Sequence, residues 1–199
     1  MNYIEHMKRI LFLFICLLSF NVNINSANHI KFLGLELNGK YDNFKDSLKT
    51  RGFKYIDSFH SIHNFIGKFR GEEVSLYVLS TTNSNVVCKV IILFPKKAQW
   101  YDLRLDYSKK VELYSEEYPI DKDYEFFVYP YDDGDGYEMK AVAMDKCRYV
   151  SFFLARGGHI VVQIDKTARV RVLYEDRENI KIAQEELNDI VGADDSLNN

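Results

Sequence analysis

Apolar and polar residues alternate over several short segments of the chain, which is the pattern of strands with one buried face. The clearest case is Val74, Leu76 and Val78, which are separated by residues of mixed polarity. Residues 86–94 are nearly all apolar, which favours a strand in the middle of a sheet. In all, the pattern predicts strands over residues 30–37, 64–70, 74–80, 86–94, 124–129, 137–144, 147–155, 159–165 and 170–174.

Three other segments carry apolar residues at helical spacing. The longest predicted helix covers residues 98–117, and Pro119 ends it because the residue before a proline disfavours helical geometry. Shorter helices are predicted over residues 43–51 and 179–190. The apolar stripe of the longest helix consists of Trp100, Leu103, Tyr107, Val111, Tyr114 and Tyr118.

The order of these elements predicts an α+β fold. A first half, about residues 30–94, reads β-α-β-β-β, and a second half, about residues 98–190, reads α-β-β-β-β-β-α. Short turns such as Gly157-Gly158 suit hairpins, whereas parallel strands need long crossovers. We therefore expect one domain, residues 28–199, with an antiparallel meander sheet and helices on one of its faces.

The N-terminal segment has the features of a secretory signal peptide. Lys8 and Arg9 precede an apolar run over residues 10–20, which is too short to cross a bilayer comfortably. Small polar residues follow, and cleavage near Ala27 would remove residues 1–27. Cys16 lies inside the apolar run and lacks the small residue before it that a lipobox needs. We therefore expect a secreted or periplasmic protein without a stable transmembrane span, the alternative being a buried N-terminal helix.

Composition narrows the classes of function. The chain has 199 residues, 26 basic and 29 acidic side chains and a formal net charge of −3, which argues against a dedicated nucleic-acid binder. A domain of this size buries enough surface to fold without a structural metal or disulfide. The aromatic content is high, with 14 Tyr and 14 Phe. No cofactor-binding fingerprint is present, because the adjacent glycines 157 and 158 lie between predicted strands.

Two cysteines remain after the predicted cleavage. Cys88 and Cys147 each lie in an apolar predicted strand. In an oxidising compartment they could form one disulfide, but a buried free thiol is equally common in such a position. Spacing along the chain leaves both alternatives open. Neither cysteine has a local signature of a catalytic nucleophile.

An acidic, glycine-containing segment with flanking tyrosines is the most conspicuous local motif. Its carboxylates could hold Ca²⁺, but Tyr137 and Met144 occupy positions where an EF-hand loop needs oxygen ligands. We therefore expect a solvated hairpin loop, whose tyrosines either form a rim that binds protein or sugar, or cover the sheet. The candidate binding residues are Tyr129, Tyr131, Asp132, Asp133, Asp135 and Tyr137.

Other arrangements of chemically active residues are weaker. His60 and His63 have a spacing that suits zinc on a helix, but no helix and no third ligand are predicted there, so we expect a polar loop and no metal site. His159 could act as a general base with Ser151 and Asp165, yet no nucleophile-elbow motif supports a hydrolase. An enzyme is therefore less favoured than a binding protein.

Several arginines fall on the late strands. Alternation puts Arg169 and Arg171 on one side of their strand and Val170, Val172 and Tyr174 on the other. The arginine side is a solvated sheet face by default, or a surface for an acidic partner.

Short motifs spread along the chain carry a resemblance. They are the signal-like start, the segment 32–39 (FLGLELNG), the helix end at 48–53 and the closing segment 172–176 (VLYED). In these the chain resembles small secreted proteins of Bacteroides-like bacteria, a group that implies no particular activity. In topology alone it is similar to β-lactamase-inhibitor proteins and small outer-membrane assembly lipoproteins, which are binding modules.

These observations predict a secreted or periplasmic, non-catalytic binding module. It would use a sheet face or a hairpin rim to contact a protein or cell-envelope component, and its oligomeric state is open. The alternatives are a secreted hydrolase of unrecognised type, or a Ca²⁺- or glycan-binding module at residues 132–135.

Overall fold

The computed structural model describes residues 28–197, with side chains described as far as Asp189. The predicted signal peptide, residues 1–27, lies outside the described residues. Within the described part the chain forms ten strands and four helices. The strands are β1 Lys31–Phe32, β2 Leu35–Glu36, β3 Lys54–Phe59, β4 Ile62–Phe69, β5 Glu72–Ser80, β6 Val87–Leu93, β7 Ile120–Phe127, β8 Cys147–Ala155, β9 Gly158–Asp165 and β10 Arg169–Asp176. The helices are α1 Tyr41–Thr50, α2 Trp100–Ser115, α3 Glu138–Ala143 and α4 Arg177–Leu197.

Eight strands form one antiparallel sheet in the order β3-β4-β5-β6-β10-β9-β8-β7. Each half of the chain contributes a four-stranded meander, and the two meanders meet where β6 pairs with β10. The predicted α+β class with an antiparallel meander sheet is confirmed. Most neighbouring strands within a meander are joined by short turns, which is why hairpin turns dominate the sequence. Two connections are longer: residues 94–119, with α2, join β6 to β7 at the far edge of the sheet, and residues 128–146, with α3, join β7 to β8.

One face of the sheet packs against helices α1 and α2. Phe44 and Leu48 of α1 and Leu103 and Tyr107 of α2 are buried in the core that this face shares with the helices. The predicted stripe on α2 is confirmed, because its members are either fully buried or packed against the core. Within the stripe, the Tyr114 hydroxyl forms a hydrogen bond of 2.8 Å with the hydroxyl of Tyr174 on β10.

The chain before α1 forms a small hairpin, not the single strand predicted over residues 30–37. Strands β1 and β2 pair through a turn in which Leu33 and Gly34 have positive φ. Phe32 is fully buried and contacts the rings of Phe69 and Tyr174. The apolar residues of this segment thus reach the core from a hairpin, which alternation alone does not distinguish from one strand.

Helix α4 is attached at the end of the sheet where β10 stops. The buried Asp176 carboxylate accepts hydrogen bonds from the backbone N–H of Ile30 and Asn179. Further along α4, the Glu186 carboxylate accepts from the backbone and hydroxyl of Ser84 in the β5–β6 turn. None of the helices in the described residues combines the length and the apolar character that a membrane span requires.

Two further predictions of local structure are wrong. Strand β3 was absent from the sequence prediction, because it is an edge strand exposed at nearly every position and so shows no alternation. Residues 137–144, predicted as a strand, contain helix α3. Only Ala141 and Val142 of α3 are buried, so tertiary packing overrides a weak strand preference.

Candidate functional site

The acidic segment is a structured loop between β7 and α3, not the predicted hairpin. Asp133 accepts hydrogen bonds from Trp100 Nε1 at 3.1 Å and Arg104 Nη1 at 2.8 Å, which attach the loop to α2. Asp135 accepts from the backbone N–H of Asp132 at 3.0 Å and of Tyr137 at 2.7 Å. These carboxylates therefore stabilise the loop through groups of the protein itself. Within residues 28–189, no three His, Cys, Asp or Glu side chains are grouped as a metal site requires.

The tyrosines of this loop differ in exposure. Tyr129 is 89% exposed and Tyr137 is 60% exposed, so both rings are open to solvent. Tyr131 is half-buried, and its hydroxyl donates to the sulfur of Met144 at 3.0 Å. An extended strand would place Tyr129 and Tyr131 on the same side. Strand β7 ends at Phe127, so the two rings lie in a loop and differ in exposure. Two exposed tyrosine rings therefore flank an acidic loop whose conformation is held by its own hydrogen bonds.

The two histidines at the zinc-like spacing lie in different environments. His60 occupies the β3–β4 turn with a positive φ, whereas His63 lies on β4 and stacks on the Tyr41 ring at 3.5 Å. The predicted polar loop is thus correct for His60 and wrong for His63. Burial, followed by the nearby Lys45 charge, lowers the pKa of His63, so the neutral ring is favoured. Its environment is that of a packing residue.

Ser151, His159 and Asp165 do not form a catalytic group. Ser151 is fully buried on the helix-covered face, where its hydroxyl bonds to Tyr107 at 2.6 Å and Asp123 at 2.7 Å. His159 lies on the opposite face, because successive strand residues alternate between faces. Asp165 is at the far end of β9, where it accepts from the backbone and hydroxyl of Thr167. The geometry that a triad requires is absent from this set.

Cys88 and Cys147 are both buried free thiols. Cys88 is on β6 and Cys147 on β8, with β10 and β9 between them, so three strand spacings of about 4.8 Å separate the two strands. A disulfide needs its Cα atoms within about 7 Å, so the disulfide alternative is excluded for this pair. Burial raises the pKa of Cys88 to about 11 and that of Cys147 to about 12, which keeps both thiols protonated at neutral pH.

The sheet face opposite α1 and α2, which we call the second face, carries exposed apolar side chains near both of its edges. Its flanks expose Phe59 (73%), Phe126 (50%), Tyr124 (44%) and Ile66 (43%). The two residues on β3 and β4 and the two on β7 have five strands between them, so they form two separate apolar groups at opposite edges of the sheet. Exposed apolar residues scattered singly are ordinary, whereas neighbouring ones favour a contact surface.

Strand register sets the pattern of the second face. A row of paired residues crosses all eight strands near the middle of the sheet, from β3 to β7. This row contains apolar residues on both sides of a central arginine and glutamine. In order across the sheet the row is Lys54, Ile66, Ser75, Leu93, Arg171, Gln163, Val150 and Tyr124.

Basic residues outnumber acidic ones on the second face, although the whole chain has a net charge of −3. Arg169 and Arg171 lie there as alternation indicates, with Val170 and Val172 buried on the other face. The basic residues at paired or alternating positions of this face are Lys54, Lys68, Lys89, Lys122, Arg148, Arg169 and Arg171, and the acidic ones are Asp57, Glu73, Asp165 and Glu175.

Gln163 was not among the candidate residues identified from the sequence. Its position between the buried Val162 and Ile164 places it on the second face, but the pairing of β9 with β10 is needed to bring it beside Arg171.

Comparison of the chain with known protein families, curated proteins and solved structures finds no match to any of them.

Proposed function

We propose that this protein is a secreted or periplasmic, non-catalytic module that binds a protein or cell-envelope component through the second face of its sheet. The observation that carries the proposal is the exposure of aromatic and aliphatic side chains at both edges of the sheet face opposite α1 and α2. Burial of apolar surface at about 25 cal/mol per Å² is the main driving force of most protein association.

The absence of an assembled triad among Ser151, His159 and Asp165 favours binding over the hydrolase alternative. The exposed Tyr129 and Tyr137 support a second contact surface on the β7–α3 loop, since exposed tyrosines are frequent contact residues. We propose this loop as an accessory contact region.

Site-specific photo-crosslinking tests the binding surface. A photoreactive amino acid is placed at residue 66 or 124 on the second face, at residue 129 on the loop, or at residue 108 on α2 as a control, in the full chain produced in its own cells. Ser108 is exposed on the helix layer and lies on neither surface. We expect a discrete crosslinked product from residues 66 and 124, and none from residue 108. Equal products from all four positions, or a product from residue 129 alone, would contradict the use of the second face.

Export is tested separately. Residues 1–27 are fused to alkaline phosphatase, which is active only after export, and a matched fusion carries Leu13→Arg in the apolar run. We expect phosphatase activity from the first fusion and its loss from the second. An inactive first fusion would contradict the proposed location without bearing on the binding surface.

A further inference from the structure

We propose that Arg171, Gln163 and Arg148 form a subsite for a carboxylate of the protein partner. This inference rests on the proposed function, because all three residues lie on the second face. They line a depression of about 240 Å³ together with Val150 and Asp145.

Arg171 is the centre of the subsite. With the Gln163 amide oriented so that its carbonyl faces Arg171, this oxygen accepts from Arg171 Nε and Nη2 and holds the guanidinium beside β9. A guanidinium has five N–H donors, so three remain after these two bonds. No carboxylate of residues 28–189 lies within 4.0 Å of Arg171, in contrast to Lys68 and Lys89, which pair with Glu73 and Glu175 on the same face.

Arg148 supplies a second positive charge on the other side of Gln163. Its Nη1 atom donates to Asp145 at 3.3 Å and to the Cys147 carbonyl at 3.0 Å. The Nε and Nη2 groups make no hydrogen bond to a described residue, so they remain available to an incoming oxygen. With Asp145 in the same lining, the two arginines leave a net positive charge of one, which attracts an anion, and planar guanidinium groups match the geometry of a carboxylate.

The surroundings favour a protein carboxylate over a phosphate or sulfate polymer. Along the transverse row, the neighbours of the subsite are Leu93 and Val150, with Ile66 and Tyr124 further out. A polyanion would need many free basic residues along its path, whereas three of the basic residues on this face already pair with carboxylates. An acidic side chain flanked by apolar side chains would pair with the arginines while its neighbours contact Leu93 and Val150. The partner class is therefore a protein segment that combines Asp or Glu with apolar or aromatic residues.

The test measures binding of the purified chain to an immobilised random copolymer of glutamate and tyrosine, with heparin as a sulfated competitor. We expect Arg171→Gln to weaken binding about tenfold, which is about 1.4 kcal/mol. Arg171→Lys should recover only part of the loss, because lysine keeps the charge but not the paired donors. Arg156→Gln, which removes an equal charge at the β8–β9 turn, is the matched control and should bind as the original chain does. Circular dichroism verifies that each variant is folded.

The outcomes separate this inference from the proposed function. Ile66→Asp alters the same face without touching the subsite. If Ile66→Asp weakens binding and Arg171→Gln does not, the second face is the contact surface and the carboxylate subsite is wrong. If heparin displaces the copolymer completely while Arg171→Gln and Arg156→Gln lose affinity equally, binding is a general charge effect and the subsite is again wrong. Absence of binding by the original chain overturns the subsite, whereas the crosslinking result still decides the proposed function.

Discussion

The close approach of Gly67 on β4 to the Phe53 ring allows a sharp prediction of stability. A Cβ atom added at Gly67 would lie 2.7 Å from Phe53 Cδ1 and 3.0 Å from Cγ, while the Phe53 side chain is only 3% exposed. Overpacking a core costs about 1–3 kcal/mol, and replacing glycine within a strand recovers about 0.5–1 kcal/mol of that through backbone entropy. We therefore expect Gly67→Ala to lower the free energy of unfolding by about 1–2 kcal/mol.

Urea denaturation and calorimetry measure this loss. For a chain of this size, about 1–2 kcal/mol lowers Tm by about 2–8 °C. The matched control is Gly39→Ala, because Gly39 has no atom within 4 Å of an added Cβ and lacks a positive φ, so its replacement should leave stability unchanged or slightly raised.

A double-mutant cycle isolates the contact. In a Phe53→Leu background, the smaller side chain can withdraw from the added methyl group, so Gly67→Ala should cost less than in the original chain. The reasoning is refuted if Gly67→Ala is as stable as the original protein, or if its cost is the same in both backgrounds.

Three further predictions follow from buried and paired side chains. Since burial raises the pKa of Cys88 and Cys147, we expect neither thiol to react with iodoacetamide at pH 8 until the protein unfolds, and stability to fall above about pH 9 as unfolded thiols ionise; rapid labelling of the native protein would contradict this. Since burial lowers the pKa of His63, the unfolded chain binds a proton at this residue before the folded chain does as the pH falls below about 6.5. The free energy of unfolding should therefore decrease on acidification, and less steeply in His63→Gln. Denaturation measured at several pH values tests this. Asp133→Asn removes one exposed ion pair and should cost at most about 1 kcal/mol while altering the fluorescence of Trp100, the only tryptophan; an unchanged emission spectrum would show that the loop is not held at α2.

The elements that the sequence predicts correctly are those whose buried residues recur at the period of the element, every second residue in a strand or every 3.6 residues in a helix. Strand β5 alternates between buried and partly exposed residues along its length, and α2 buries the stripe that the spacing indicates. Local periodicity and tertiary burial agree there because one side of each element meets the core. Strand β3 and helix α3 bury too few residues to leave such a pattern, so the sequence does not identify them.

The candidate site shows the same division. The sequence leaves open whether the loop tyrosines cover the sheet, and the structure shows Tyr129 and Tyr137 exposed. The orientation of Arg169 and Arg171 could be predicted from alternation. That Asp133 binds α2 could not, because Trp100 is 33 residues away and the contact depends on how the β7–α3 loop folds.

By itself, the sequence determined the class of fold, the antiparallel character of the sheet and the buried stripe of α2, because short turns and hydrophobic periods are local properties. Only the tertiary structure decided that β6 pairs with β10. That pairing, between strands about 80 residues apart in the chain, aligns Leu93 with Arg171, while the β9–β10 hairpin sets Gln163 beside the same arginine. The composition of the second face depends on strand order and register, which are set by the packing of the whole core and not by any one segment.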